Sequence, residues 1–289
     1  MNDKSRVKQS VTQRHVVGRS VLVMYLLAVL CATAASSTLA ADNLLAIKGS
    51  TTLLPIIQST SEVYMDRNHS VDISVQGGGS GVGIASLIDG TCDIAASSRP
   101  VKEKEIRGAK EDGVELVGTT VALDGIAVIV HPSNSLDTLT KAQIRDIYNG
   151  KYSAWSQLGG TAGKIVIVSR DTASGTFEAF TNMILGGMRM RPDALMQTSN
   201  KTVAMIVSRT PGAVGYIGIG YLSEEVKALV LDGVYPSRDT VLSGKYSLTR
   251  PLYLFTNGQP QEEEKRYIEF LLSEEGQKLV EETGFLRVR

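Results

Sequence analysis

From Asn43 onward, short apolar runs alternate with amphipathic segments. Leu44 to Ile47 predicts a strand that stops at Lys48-Gly49-Ser50. Thr52 to Asp66 predicts a helix with Leu53, Ile56, Ile57 and Val63 on one side and Pro55 in its first turn. Val71 to Val75 alternates as a strand and runs into Gln76-Gly77-Gly78-Gly79-Ser80-Gly81, after which Ile84 to Ile88 predicts a short helix. Asp93 to Ala96 predicts another strand, ending at Ser97-Ser98-Arg99-Pro100. Strand, polar loop and helix thus repeat three times in close succession, the signature of βα units and a mainly parallel sheet. The fold class expected is α/β.

The pattern continues with Ile126 to Val130, an unbroken apolar strand after Asp124-Gly125 that predicts a crossing between two lobes. Ile144 to Tyr148 predicts a helix closed by Asn149-Gly150, and Trp155 sits just before Gly159-Gly160. Lys164 to Val168 predicts a buried strand that delivers Ser169 through Thr176 to a helix over Phe177 to Ile184. Ala213 to Ile219 predicts a further strand and Leu252 to Phe255 the return crossing. Glu262 to Val280 predicts one amphipathic helix, with Tyr267, Phe270, Leu271 and Leu279 as its apolar stripe. No repeat and no long linker interrupt the chain, so the lobes are expected to interleave. The first takes residues 41–126 plus 247–289 and the second takes 127–246.

The first 40 residues break this pattern. Lys4, Arg6, Lys8, Arg14 and Arg19 stand against a single acid, Asp3, and an apolar stretch from Val21 to about Ala32 leads into small residues ending Ser37-Thr38-Leu39-Ala40-Ala41. A basic start, a short apolar run and a small-residue exit predict a secretory signal with cleavage after Ala40. The run is too short to span a bilayer comfortably. Cys31 follows Leu30 and not a small residue, so no lipid anchor is expected there, and cleavage would leave Cys92 alone.

Lys and Arg total 30 against 30 Asp and Glu, so nothing in the charge points to nucleic acid or an anionic membrane. Loss of the leader would leave 25 basic and 29 acidic residues. An anion bound by such a body must be held by local dipoles and hydrogen bonds. Four segments offer them: Gly49-Ser50-Thr51-Thr52, Gly79-Ser80-Gly81, Ser97-Ser98-Arg99 and Arg170 through Thr176. Each follows a strand and leads towards a helix, where free N–H groups and the positive end of the dipole favour anions. Hydroxyls add rotatable donors, glycine admits close approach of the backbone, and Arg170 supplies a planar fork for an oxyanion. Ser and Thr at such places also serve as plain helix caps, and Arg99 before Pro100 also suits a surface or interlobe salt bridge.

Taken in order, Gly49-Ser-Thr-Thr52, Gln76-Gly-Gly-Gly-Ser-Gly-Val-Gly-Ile84, Asp93-Ile-Ala-Ala-Ser-Ser-Arg-Pro100 and Arg170-Asp-Thr-Ala-Ser-Gly-Thr176 resemble the phosphate-binding proteins of phosphate ABC transporters. Leu123 to Val130, Ile147 to Gly150 with Trp155, Gly212 to Tyr216 and Arg250 to Tyr253 extend the likeness over almost the whole chain after the leader. The resemblance implies a bilobal periplasmic-binding fold of type II that closes on inorganic phosphate and passes it to a membrane permease. It implies a periplasmic monomer without cofactor or metal. Carried over, it places Ser80, Arg170, Ser174, Gly175 and Thr176 on phosphate oxygens, with donors from Ser50, Thr51 and Thr52, and Ser98 and Arg99 in the third loop. Where some members carry an aspartate that accepts the proton of phosphate and excludes sulfate, this chain has Ser98. Asp124 and Asp171 are the candidate replacements, with a structural role as the other reading of each.

Enzymatic readings find little support. The nucleophile-elbow spacing fails at Ser80, because Val82 stands where glycine is required. His15, His69 and His131 fall in unrelated contexts, which gives no Ser-His-Asp arrangement. Gly159 to Lys164 lacks the spacing and the hydroxyl residue of a phosphate loop, and no Cys/His cluster has metal-ligand spacing. Three functions stay open on the residues alone: a phosphate transport receptor, the same fold binding sulfate, molybdate or another oxyanion, and a related sensing or signalling protein.

Overall fold

The computed structural model describes residues 44–161 and 163–288; the predicted leader and its cleavage point lie outside them. The first βα units form where the apolar alternation places them. Strand β1 (Leu44–Gly49) leads to helix α1 (Leu54–Arg67), which carries Pro55 at its start. Strand β2 (Asp72–Gly77) leads to α2 (Ser80–Ile88), and β3 (Ile94–Ser97) leads to α3 (Glu103–Glu111). Helix α2 begins at Ser80 itself, four residues before the first position of its apolar pattern. The polar segment 103–111 is also helical, which the apolar pattern does not reveal; Ala109 is its single buried residue.

The next strand, β4 (Leu116–Val130), runs for 15 residues, far beyond the expected crossing segment. It is followed by the short β5 (Thr138–Leu139), α4 (Lys141–Tyr148) and β6 (Val166–Arg170). Then come α5 (Gly175–Phe180) with a π-helical turn over Thr181–Leu185, β7 (Leu195–Gln197), α6 (Asn200–Arg209) and β8 (Ala213–Gly218). The chain closes with β9 (Lys227–Ala228), β10 (Val230–Leu231), α7 (Arg238–Leu242), β11 (Thr249–Asn257), α8 (Glu262–Leu272) and α9 (Glu274–Glu282).

The main sheet has the order β2-β1-β3-β11-β4-β8-β6-β7, with β9 also paired to β4. Pairs at its two ends are parallel, while β11 runs antiparallel to both β3 and β4, and β4 antiparallel to β8. One α/β core gathers apolar residues from 45–122 and 252–285, and a second gathers 126–248 with Leu286. Strand β4 serves both: Leu116 to Gly125 pairs with β11, then Ile126 to Val130 pairs with β8. The two crossings anticipated from apolar runs are thus one long strand and its antiparallel neighbour.

One expectation is corrected. The segment from Glu262 to Val280 is not one helix but two, broken at Ser273 (φ −67°, ψ 166°), whose hydroxyl caps α9 by accepting from Gly276 N–H. A side chain at Gly276 would lie 2.3 Å from the Phe270 carbonyl oxygen, so the second helix turns in tightly against the end of the first.

Candidate functional site

Strands of a parallel unit deliver their C-terminal loops to one edge, and here that edge is stitched by backbone hydrogen bonds. Ser50 N–H donates to Ala96 O (2.8 Å), Gly79 N–H to Gly49 O (2.9 Å) and Gly81 N–H to Ala173 O (2.9 Å). The last of these joins a loop of the first core to a loop of the second. Gly79 has φ +98°, and a Cβ there would sit 2.6 Å from Ala173 O, so both its conformation and its surroundings require glycine. A Cβ at Gly175 would meet Ser80 Oγ at 2.3 Å and Ser98 Oγ at 2.6 Å. Three loops therefore meet over the bare backbone at the start of α5.

Ser50, Thr51, Thr52, Ser80, Ser98, Arg99, Arg170, Ser174, Gly175 and Thr176 are all buried and come together at this edge. Their bonds differ. Ser50 Oγ accepts from Thr52 N–H (3.2 Å) and Ser174 Oγ from Phe177 N–H (3.2 Å), which are turn and cap duties. Ser80 Oγ accepts from Ser98 N–H (3.0 Å), and Thr52 Oγ1 lies 3.1 Å from Thr176 Oγ1, joining the first loop to the fourth.

Arg170 ends β6 and is 1% exposed. Its Nε donates to Gln197 O (3.0 Å), and its Nη2 to Thr198 O (2.9 Å) and Thr51 Oγ1 (3.1 Å). Its Nη1 is buried without a partner. Burial pushes its pKa down to about 10, so it stays charged at neutral pH. No carboxylate lies within ion-pair distance of it among the described residues. A buried, uncompensated guanidinium is costly unless an anion joins it.

Arg99 is buried beside Ser98 and forms the salt bridge that was its other reading. Its guanidinium pairs with Glu105 (Nη2 to Oε1, 2.6 Å) and Glu178 (Nε to Oε2, 2.9 Å), and Nη1 also donates to Pro100 O (2.8 Å). Its Nε, although within ion-pair distance of Glu178, is buried without a hydrogen bond. Burial works to raise the Glu105 carboxyl, but hydrogen bonds from Arg99 and Lys102 N–H outweigh it and hold the group below its ordinary range.

Two residues enter the site that the loop motifs do not contain. Arg250, on β11, is 3% exposed and its Nη2, with two protons, lies within hydrogen-bond distance of three oxygens: Asp124 Oδ2 (2.8 Å), Thr176 Oγ1 (3.0 Å) and Thr52 Oγ1 (3.3 Å). Its Nη1 donates to Ser98 O (3.3 Å), and its Nε to Asp124 Oδ2 (3.0 Å). Asn200, the first residue of α6, is fully buried; its Nδ2 donates to Thr52 Oγ1 (3.2 Å) and Thr51 Oγ1 (3.4 Å), and its Oδ1 accepts from Gly218 N–H (3.2 Å). A charged residue amid an apolar strand pattern, Thr249-Arg-Pro-Leu-Tyr253, was the available signal for Arg250. Asn200 after the capping Ser199 gave none beyond helix initiation.

The two candidate acids differ in their surroundings. Asp124 lies opposite Arg250 in the β4–β11 register and also accepts from Ile219 N–H (3.1 Å). Burial pushes its carboxyl up, while Arg250 and the N–H groups of Ile219 and Gly125 work against that. Asp171 closes a turn by accepting from Ala173 N–H (2.9 Å). A cavity of about 240 Å³ opens beside the cluster, lined among others by Ser98, Arg99, Glu178, Asn182, Thr249 and Arg250. Among the described residues, no group of three or more Cys, His, Asp or Glu is arranged to hold a metal, and no helix is long and apolar enough to cross a membrane.

Known proteins share this architecture. The PBP superfamily domain matches residues 32–275. The phosphate-binding protein PstS of Bacillus subtilis is 34% identical over 250 residues, covering 86% of this chain and 82% of the relative. PstS of Borreliella burgdorferi is 31% identical over 261 residues, covering 86% and 91%. A Clostridium perfringens protein ascribed to a phosphate ABC transporter, solved with bound phosphate, superposes with a TM-score of 0.79 at 32% identity, covering 85% of this chain and all of that one. An ABC-type phosphate transport receptor from Vibrio cholerae gives 0.69 at 33% identity, covering 84% and 99%. These are solute-binding proteins and not an enzyme family. A bilobal fold with its anion-ready loops at one strand edge, matched along nearly its whole length, places this chain in the PBP superfamily, among the PstS phosphate-binding proteins.

Proposed function

We propose that this chain is an exported receptor that captures inorganic phosphate between its two cores and delivers it to the permease of a phosphate ABC transporter. The observation that carries the reading is Arg170: a buried guanidinium without a carboxylate partner, whose Nη1 lacks a hydrogen bond amid serine and threonine hydroxyls. A tetrahedral dianion supplies the missing charge and acceptors together.

Arg170 and Arg250 are the cations of the site. Thr51, Thr52, Ser80, Ser98, Ser174 and Thr176 provide hydroxyls, and Gly175 gives backbone access. Ser50 shapes the first loop, and Arg99 holds the third against Glu105 and Glu178. The lobes, residues 41–126 with 247–289 and residues 127–246, close by flexing where β4 and β11 pass from one core to the other. The closed form is what the permease reads. The protein acts as a monomer in the periplasm after loss of residues 1–40, catalyses no reaction and needs no cofactor or metal.

Titration calorimetry on the purified chain lacking its leader tests this. Phosphate should bind one to one, and Arg170→Ala should lose about 2–5 kcal/mol of binding free energy, as for other buried charge partners. Unchanged phosphate binding by Arg170→Ala would refute the site assignment.

A further inference from the structure

One hydroxyl beside the cleft, that of Tyr221, is not among the anion ligands. Tyr221 ends the short turn Ile219–Tyr221 that follows β8, and its half-buried ring packs against both cores. The hydroxyl donates to the Thr51 carbonyl oxygen at 2.5 Å, reaching from the second core to the first anion loop. Burial pushes its ionisation above the ordinary tyrosine range, so the proton is present at neutral pH. The C=O and N–H of a trans peptide point opposite ways, so the bond to Thr51 O also sets the direction of Thr52 N–H. That N–H goes to Ser50 Oγ (3.2 Å), while Thr51 Oγ1 accepts from Arg170 Nη2 (3.1 Å). Holding this one peptide therefore holds the loop that carries Ser50, Thr51 and Thr52.

Tyr221 is itself held by the segment that follows α9. Gly284 (φ +85°) turns the backbone, and the next two residues, both fully buried, divide between the cores: Phe285 joins the first and Leu286 the second. Leu286 exchanges two backbone hydrogen bonds with Leu123 of β4 (2.9 and 3.1 Å). In β11 the residue opposite Leu123 is Pro251, which has no N–H to offer. The segment is thus a third crossing between the cores, beside β4 and β11. The Phe285 ring stands edge-on to Tyr221, with centroids 6.4 Å apart and planes at 81°. It also covers Gly220, where a Cβ would come within 2.3 Å of the ring. Ile219 N–H is pinned to Asp124 Oδ1 (3.1 Å), so the whole turn is fixed from the first core and β4. Gln277 of α9 secures the segment by accepting from Val288 N–H (2.8 Å) and donating to Val121 O (3.0 Å).

We propose that Tyr221 is a positioning residue for the first anion loop and that Phe285 holds it in place, so that the segment after α9 controls how firmly the cores close. The proposal rests on the reading of the cleft as a phosphate site. Tyr221 and Thr51 belong to different cores, so their bond exists only when the cores are together. The hydroxyl then acts on the closed form alone, and its loss is felt in release of the ligand more than in capture.

Tyr221→Phe keeps the ring and its contact with Phe285 and removes only the hydroxyl. In calorimetric titration of the purified protein it should bind phosphate about tenfold more weakly than the parent, the cost of leaving one enclosed carbonyl unpaired. Stopped-flow kinetics should place that change in the release rate. The urea midpoint without phosphate should stay near the parent value, because Thr51 O meets water once the cleft is open. Phe285→Leu keeps an apolar residue in the first core but removes the ring beside Tyr221. It should weaken phosphate binding by about fivefold in the parent, and by less than about twofold in the Tyr221→Phe background, since both changes act through one bond. Parent-like affinity in Tyr221→Phe, or a lowered urea midpoint with unchanged affinity, overturns the proposal while the phosphate reading stands. Fully additive losses in the double variant overturn it as well. No phosphate binding by the parent removes both the proposal and the reading.

Discussion

Arg250 and Asp124 show how a buried charge is made tolerable. The guanidinium meets the carboxylate at 2.8 Å, with 3% and 0% of the two side chains exposed. Pairing in such surroundings adds little net stability, but loss of one partner leaves the other stranded. Asp124→Asn should therefore lower stability by roughly 3–5 kcal/mol, read as a fall in the urea midpoint without phosphate. Saturating phosphate should recover part of that loss, because in the proposed site the anion faces the same guanidinium. An equal loss with and without phosphate would detach Arg250 from the ligand. At this scale the hydroxyl-rich loops and Arg170 were legible as candidates, since Gly, Ser, Thr and Arg after a strand suit an anion as well as a helix cap. Arg250 and Asn200 were not, because their partners Asp124, Thr52 and Gly218 are 18 to 198 positions away along the chain.

Among the elements, α5 joins the two cores electrostatically. Glu178, in its first turn, pairs with Arg99 (2.9 Å) and Lys102 (2.6 Å) from the loop after β3. Both contacts exist only while the loops after β3 and β6 are together. Glu178→Gln should speed phosphate release, by up to about tenfold for a pair of partly exposed bridges, with less effect on the association rate. Stopped-flow release kinetics would show it; an unchanged release rate would mean the bridges do not hold the closed form. The break between α8 and α9 belongs to this scale too. The stripe Tyr267, Phe270, Leu271 and Leu279 fits one helix, and Glu274 and Glu275 after Ser273 begin a second equally well. The choice is made by Ser273 as a cap and by the space that Gly276 leaves beside Leu271.

For the whole molecule, two cores joined through β4 and β11 suit a closure that buries the ligand. Phosphate at a hundred times its Kd should stabilise the fold by about 2.7 kcal/mol and raise the melting temperature accordingly. Solution scattering should show a smaller radius of gyration with phosphate than without. Stabilisation with no change in radius would point to a cleft that is already closed before the anion arrives.

Local pattern determined the α/β class, most strand and helix positions, and the hydroxyl-rich loops, because burial periodicity and loop chemistry are set by near neighbours in the chain. Tertiary structure decided the rest. It committed Arg99 to Glu105 and Glu178, brought Arg250 and Asn200 to the threonines, and tied Asp124 to Arg250. The reason is physical: a buried polar group takes its role from whichever partner fills its hydrogen bonds, and in a fold whose strands cross between two cores those partners come from distant parts of the chain.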